Sequence, residues 1–295
     1  MKKLLFPMIL FLSLSLLIAC GSDDASGDGE EGGSSLAQLQ EAGKVTVGFA
    51  NEKPYAYEEG GELKGAAVDI AKAVLKELDI DEVEGQLADF NQLIPGLNAG
   101  KFDIITAGMA INPDRCENAA FGEPEMMYGE GLIVKKGNPM NITSYKDIAD
   151  NPDITVSVMS GATENEFLKS EGVADDQIQS APDIPATFAA VESGRAHATT
   201  GTEMTIKMAL ESADTDELEF VENFEQPDIE GVPSYGAAAF HKDSDELREA
   251  YNEKLAELKE DGTIAELLEK NGFSEEMNMV PEDVTTEKIC SGEIK

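Results

Sequence analysis

Residues 89–121 read DFNQLIPGLNAGKFDIITAGMAINPDRCENAAF. Phe90 to Ala99 carries a helical pattern, and Asp103-Ile104-Ile105-Thr106-Ala107 reads as a buried strand. Arg115 follows that strand, past Pro113-Asp114. A guanidinium presents a rigid fork that matches a carboxylate through two parallel hydrogen bonds. The stretch is therefore a helix, a strand and then a residue able to clamp an anion.

The same alternation extends in both directions. Val45-Thr46-Val47-Gly48-Phe49 reads as a first strand. Ala67 to Leu78 follows as an amphipathic helix, with Val68, Ala71, Val74, Leu75 and Leu78 at helical spacing. Thr155 to Val158 reads as a strand with a helix from about Ala162, Thr187 to Glu192 as helix, and His197 to Thr200 as strand. Two helices close the chain, Glu246 to Leu258 and Ile264 to Lys270. Short strands alternating with helices predict an α/β fold.

An internal echo suggests the organisation. Tyr128-Gly129 precedes Lys135 by seven residues, and Tyr235-Gly236 precedes Lys242 by seven, with EGLIV and AAAFH between. Read as two similar connecting strands, they enclose a block with its own strand–helix alternation, a domain inserted into another. The expected divisions are a first lobe over 36–134, a second lobe over 135–238, and a return to the first over 239–295. Two lobes joined by two strands close on a ligand by hinge motion.

The first nineteen residues read as an export signal: Lys2 and Lys3, then a nearly pure apolar run from Leu4 to Ile18, too short for a stable span. Leu17-Ile18-Ala19-Cys20 resembles the lipobox of bacterial lipoproteins, which implies cleavage before Cys20 and lipid attachment to it. The segment 20–35 then reads as a disordered acidic tether; GSDDASGDGEEGGSS has no apolar area to offset its ordering entropy. Its reach is roughly 20 Å. These readings place the protein outside the cytoplasm, lipid-anchored to the cell membrane.

The formal net charge is −37, and −39 once Lys2 and Lys3 leave with the signal. Such a chain lacks the basic surface that nucleic acid or anionic lipid requires. Besides Cys20 the cysteines are Cys116 and Cys290, either two separate thiols or one disulfide. A disulfide would close a loop of about 175 residues and contribute ~4–5 kcal/mol in the chain-entropy model.

Several ordered segments resemble the family 3 extracellular solute-binding proteins, receptors of ABC importers for polar amino acids. They are GFANEKPYAY (48–57), LKGAAVDIAKAVLKEL (63–78), the opening stretch, YGEGLIVKKGN (128–138), SGAT (160–163) and LKEDGTIAELLEKNGF (258–273). More narrowly, the chain is similar to the ectoine- and hydroxyectoine-binding members, through NExPY at 51–55, AGxxxxPDRC at 107–116, TSYKDIADNPD at 143–153 and a late cysteine after TxEK. The resemblance implies an α/β two-lobe fold of the type II periplasmic-binding-protein kind, lobes joined by two hinge strands with a ligand cleft between. It implies a Cys116–Cys290 pair, a small zwitterionic solute, delivery to ABC importer permease subunits, and a monomer. It implies no cofactor, no metal and no catalytic residue.

Residue by residue, the resemblance assigns Arg115 to the ligand carboxylate, with Gly108 before it. Ser160-Gly161-Ala162-Thr163, between a strand and a helix, would offer N–H groups and a hydroxyl to the same anion, with Gly161 and Thr163 as contacts. Ectoine spreads its positive charge over a flat ring, which suits aromatic faces. Tyr55 and Phe90 match aromatic contact positions, and Glu52 matches an acidic one. Two positions depart from the pattern. Thr202 stands where many α-amino acid binders carry an Asp for the ammonium, with Glu203 beside it. Ala110 occupies a position that is aromatic in ectoine binders, leaving that wall to Tyr128, to Tyr57 or to a different ligand. The alternatives are a receptor for a polar amino acid or betaine-like solute, or a dehydratase on the same scaffold. For an enzyme, His197 and His241 fall in no triad or metal-ligand spacing, and a GxxxxGK phosphate loop is absent.

Overall fold

The computed structural model describes residues 33–294. The expected signal, Cys20 and most of the expected tether lie outside these residues. The tether reading fails at its end. Ser35 caps the first helix, α1 (Leu36–Ala42), in a reciprocal capping box with Gln38. Ser34 Oγ donates to Asp103 at 2.5 Å, and Gly33 N–H donates to His241 Nδ1 at 3.2 Å. Residues 33–35 therefore belong to the folded body: a Ser-x-x-Gln start signal was hidden inside a Gly/Ser-rich run.

The chain then forms β1 (Lys44–Phe49), the hairpin β2 (Tyr57–Glu59) and β3 (Glu62–Lys64), α2 (Ala66–Lys76) and β4 (Glu82–Leu87). The helix expected over Phe90–Ala99 is a 3₁₀ turn, Phe90–Gln92, leading into α3 (Leu93–Asn98). β5 (Ile104–Ala110), α4 (Pro113–Cys116), β6 (Ala120–Phe121) and β7 (Met126–Tyr128) complete this part.

A second run of elements follows: β8 (Glu130–Lys135), α5 (Tyr145–Ala149), β9 (Val156–Met159) and α6 (Glu164–Ser170). It continues through β10 (Ile178–Ala181), α7 (Ile184–Glu192), β11 (Ala198–Thr202), α8 (Glu203–Ala213) and β12 (Leu218–Phe220). The chain returns through β13 (Ser234–Phe240), α9 (Asp245–Glu260), α10 (Thr263–Lys270), α11 (Glu275–Asn278) and α12 (Thr286–Cys290).

Two sheets result. The first has the order β4-β1-β5-β13-β6, with β7 also on β13; the second has the order β10-β9-β11-β8-β12. In each, parallel pairs (β1 with β4 and β5; β9 with β10 and β11) adjoin antiparallel strands (β13; β8 and β12). Each sheet is covered on both faces, as parallel pairing demands. Ile104 packs with Val74 and Tyr251 on one face, and Ile105 with Leu97 and Phe102 on the other. In the second sheet Leu132 and Val134 face Tyr145 and Leu168, while Ile133 faces Phe188 and Ile206. This two-residue alternation is the strand pleat.

Sheet membership changes at Gly129 and between Phe220 and Ser234, so the expected divisions at 134/135 and 238/239 are displaced. EGLIV lies in β8 and most of AAAFH in β13, both buried strand interiors rather than connections. The two Tyr-Gly pairs do lie side by side, with Tyr128 opposite Ser234 across the β7–β13 pairing. Cys116 and Cys290 are joined by a disulfide of 2.03 Å that ties α12 to α4.

Candidate functional site

The site residues share a structural address: they sit at or just beyond the C-terminal ends of parallel strands, where open α/β sheets place their ligands. Glu52 and Tyr55 follow β1, Phe90 follows β4, Gly108 and Ala110 end β5, Ser160 to Thr163 follow β9, and Thr202 ends β11. The strand ends of the two sheets converge on a small cavity of about 30 Å³. Glu52, Tyr55, Phe90, Gly108, Arg115, Thr163 and Thr202 all line it, as do Tyr128 and Glu164. Larger grooves flank it, of about 570 and 620 Å³. Glu52 and Phe90 extend into the first, Arg115 and Thr163 into the second.

Arg115 sits on the one-turn helix α4. Asn112 caps that turn by accepting from the Arg115 N–H at 2.8 Å, Pro113 starts it, and the disulfide at Cys116 fixes its end. The guanidinium donates from Nη1 to the Ala110 carbonyl at 2.7 Å and from Nη2 to the Gly161 carbonyl at 2.8 Å. It also lies 5.4 Å above the Phe90 ring. Phe90 thus supports the guanidinium as well as walling the cavity. The Gly161 contribution is its carbonyl; the residue stands outside the cavity wall. Its φ of +84° is glycine territory, and a Cβ there would come within 2.8 Å of Asn91.

Tyr55 and Tyr128 meet edge to face at 5.2 Å. The Tyr128 hydroxyl donates to the Gly108 carbonyl at 2.6 Å. Gly108 has φ +59°, and a Cβ on it would stand 2.3 Å from the Tyr55 ring. The β5–β13 register shifts beside it, a bulge that turns the strand end toward the cavity. Tyr128 therefore occupies the wall beside Ala110. Tyr57 lies in the outer groove with Lys53 over its ring at 4.8 Å. The Tyr55 hydroxyl is buried and makes no hydrogen bond among the described residues; the Thr202 hydroxyl beside it donates to Thr205 Oγ1 instead, at 2.9 Å.

The charges are lopsided. Against Arg115 stand Glu52 and Glu164 on the wall and Glu130 behind it. Burial, then the Glu164 charge, pushes Glu52 up to about 8, with Arg115 pulling the other way. Burial, then neighbouring Glu164, holds Glu130 well above the usual carboxylate range. Glu164 is raised by burial too, less so because backbone N–H groups, Glu130 and Arg115 favour its charged form. Burial pulls the Arg115 guanidinium downward while Tyr128, Glu164 and Glu52 oppose this. The cavity thus sets one guanidinium against carboxyls whose proton affinity burial raises, a surface suited to a dipolar solute.

Thr163 precedes α6 and makes no side-chain capping bond, so its hydroxyl remains available. Glu164, the first residue of α6, stands on the cavity wall beside Thr163. Glu203 pairs with Lys207 at 2.5 Å and does not line the cavity. Glu164 and Glu130 escaped the sequence reading because nothing distinguishes them among 59 acidic residues until burial is known. His197 bonds Thr155 and His241 bonds Gly33 and Asp243, all away from the cavity. Among the described residues, His, Cys, Asp and Glu form no group able to hold a metal ion.

The model of the bacterial extracellular solute-binding proteins, family 3, matches residues 45–274. A relative from Sinorhizobium fredii, the "probable amino-acid ABC transporter periplasmic-binding protein y4tE", is 36% identical over 265 residues, covering 88% of this chain and 87% of its own. The crystal structure of EhuB in complex with hydroxyectoine superposes with a TM-score of 0.78 at 33% identity, covering 86% of this chain and 97% of that one. An ancestral arginine-binding protein bound to arginine gives 0.66 at 29% identity, covering 77% and 97%. Such relatives are two-lobe binding proteins, and the two sheets described above are the cores of those lobes. With its family model spanning both sheets and its polar cavity between their strand ends, this chain belongs to the bacterial extracellular solute-binding proteins, family 3.

Proposed function

We propose that this solute-binding protein captures ectoine or hydroxyectoine between its lobes and delivers it to the permease of an ABC importer. The observation that carries the ligand reading is the polarity of the cavity. Arg115 projects a guanidinium at one side, held by two carbonyls and the Phe90 ring. The walls add Tyr55, Tyr128 and the acids Glu52 and Glu164. A carboxylate meets Arg115, with the Thr163 hydroxyl in reach. A flat delocalised cation meets the aromatic and acidic side. The likeness to EhuB supports this choice. Tyr128 takes the place of the aromatic side chain that Ala110 lacks.

The lobes of this reading are 36–129 with 234–294, and 130–220, with 221–233 as the return connection. The protein acts as a monomer outside the cytoplasm, held to the membrane by lipid on Cys20. The lipobox-like LIAC sequence supports the anchor. No helix among the described residues is long and apolar enough to cross a membrane.

A second reading, a cationic amino acid, is favoured by the excess of buried carboxyls over the single guanidinium, and by the likeness to an arginine-bound structure. Thermal unfolding against a ligand panel separates the two. A ligand present at a hundred times its Kd stabilises the fold by about 2.7 kcal/mol. The expected result is a clear rise in Tm with ectoine or hydroxyectoine. A rise only with arginine or another amino acid would overturn the ectoine reading.

A further inference from the structure

Thr202 stands where an acid would hold an ammonium, and Glu203 is turned to Lys207. The acid comes from another element. Glu164, the first residue of α6, is 3% exposed and lines the cavity. Its Oε1 lies 4.0 Å from where a Cβ on Gly201 would stand, so it reaches the end of β11 from a different element. Behind it, Glu130, the first residue of β8, is 1% exposed. Its backbone is pinned where the chain crosses between lobes: its N–H donates to Gln226 Oε1 at 2.8 Å, and Gln226 Nε2 donates to its carbonyl at 2.7 Å.

Across the β8–β11 pairing Gly131 faces Gly201 and Glu130 faces Thr202, so Glu164, reaching Gly201, brings its carboxyl to the strand end that carries Glu130. Glu130 Oε2 faces the Tyr145 hydroxyl at a long 3.5 Å; that hydroxyl is 2.6 Å from Thr200 Oγ1, whose own proton goes to the Gly131 carbonyl at 2.8 Å. Glu130 Oε1 has no donor among the described residues. The other groups around the pair are Arg115 and Glu52, with Tyr55 and Tyr128 beyond. Two carboxylates brought to one strand end cannot both ionise in a buried site, whereas one shared proton satisfies Oε1 and removes the repulsion. A separate feature points to a ligand here: the Tyr55 hydroxyl, on a residue 2% exposed, reaches the same cavity without a partner.

We propose that Glu130 and Glu164 share one proton in the ligand-free protein, and that Glu164, backed by Glu130, receives the cationic end of the solute. This inference rests on the reading of the cavity as a site for a solute with a cationic end. When the cation docks, the shared proton passes to the buffer. The pair goes from one negative charge to two, and the ligand's N–H donors replace the proton. The shared proton keeps a deep acid pair from repelling itself while the cleft is open. Its release makes the pair selective for solutes that bring positive charge; a neutral isostere leaves the proton in place and the pair's negative charge without a counter-charge.

Two measurements test this. In the ligand-free chain carrying glutamate labelled with ¹³C at the carboxyl, an NMR pH titration is expected to show two linked carboxyls titrating above the ordinary range. Glu130→Gln removes one signal and moves the Glu164 signal downward, because the amide donates permanently to Glu164. A Glu164 titration that Glu130→Gln leaves unmoved would overturn the shared proton. Calorimetry at pH 7 in buffers of different ionisation enthalpy, with ectoine and L-arginine as probes, reads the protons released. The wild type is expected to release more than Glu130→Gln, by up to one proton, and Glu164→Gln is expected to lose at least ~10-fold in affinity. Equal proton counts, or unchanged affinity in Glu164→Gln, would overturn the role in binding, as would silence from both probes. Binding of arginine alone refutes the ectoine reading, and the pair is then judged on arginine.

Discussion

Replacing Arg115 by alanine removes three contacts at once: the bonds to the Ala110 and Gly161 carbonyls and the stack on Phe90. In the loaded protein it also removes the only positive side chain among the described residues on the cavity wall. Truncating one partner of a buried, hydrogen-bonded charge pair costs about 2–5 kcal/mol. At about 1.4 kcal/mol per tenfold, affinity should fall roughly 30- to 4,000-fold. The fold should lose little, about 1 kcal/mol, because Arg115 is half-buried and water can reach the carbonyls it leaves. Arg115→Lys keeps the charge but not the fork, and should fall between wild type and alanine. Calorimetric titration gives the affinity and a thermal melt the stability. An alanine variant that melts and binds like the wild type would refute the carboxylate clamp. Loss of binding with collapse of the melt would be resolved by the lysine variant, which the clamp predicts to fold and to bind weakly.

Other expectations concern stability. Glu125 is buried in the first lobe, accepts from the Tyr251 hydroxyl at 2.7 Å, and is pushed up to about 7 by burial. Its folded value lies above its unfolded one, so its contribution is fully present below about 4.5 and is lost as pH rises through about 7. Relative to wild type, Glu125→Gln should therefore gain roughly 2–3 kcal/mol between pH 5 and pH 8, read from urea midpoints; a constant difference would contradict this. Replacing both Cys116 and Cys290 by alanine should lower the unfolding free energy by ~3–5 kcal/mol. It should also weaken binding through α4, which carries Arg115; unchanged affinity would show that Asn112 and Pro113 hold the clamp unaided.

Much of this molecule was legible before its structure. α2 announced itself by period: Val68, Ala71, Val74 and Leu75 are all buried, as their spacing required. β1, β9 and β11 stood out as short runs of small and β-branched residues. β4 did not, because it is an edge strand whose residues EVEGQL are mostly exposed and carry no alternation to read. The change of sheet falls away from the expected divisions for a physical reason. EGLIV and AAAFH look like connecting strands in sequence, yet their burial makes them sheet interiors, and the crossing falls to Gly129 and a loop without hydrophobic pattern.

The site divides in the same way. Arg115, Tyr55 and Phe90 carry residue types that are sparse in the chain and sit in a resembling motif, and the fold brings all three to one cavity. Glu164 and Glu130 are ordinary acids until the fold buries them at the same point. A sequence this acidic hides such carboxyls well: the signal is isolation from water, which is a property of packing.

The central claim is that the cleft selects a zwitterion with a delocalised cation. Its most direct test is calorimetric titration of the chain from Gly21 onward with ectoine and hydroxyectoine, beside L-arginine, L-glutamine and glycine betaine. Saturable one-to-one binding of ectoine or hydroxyectoine, tighter than any of the other three, is the predicted result. No heat from either, with clear binding of an amino acid or of betaine, would contradict it.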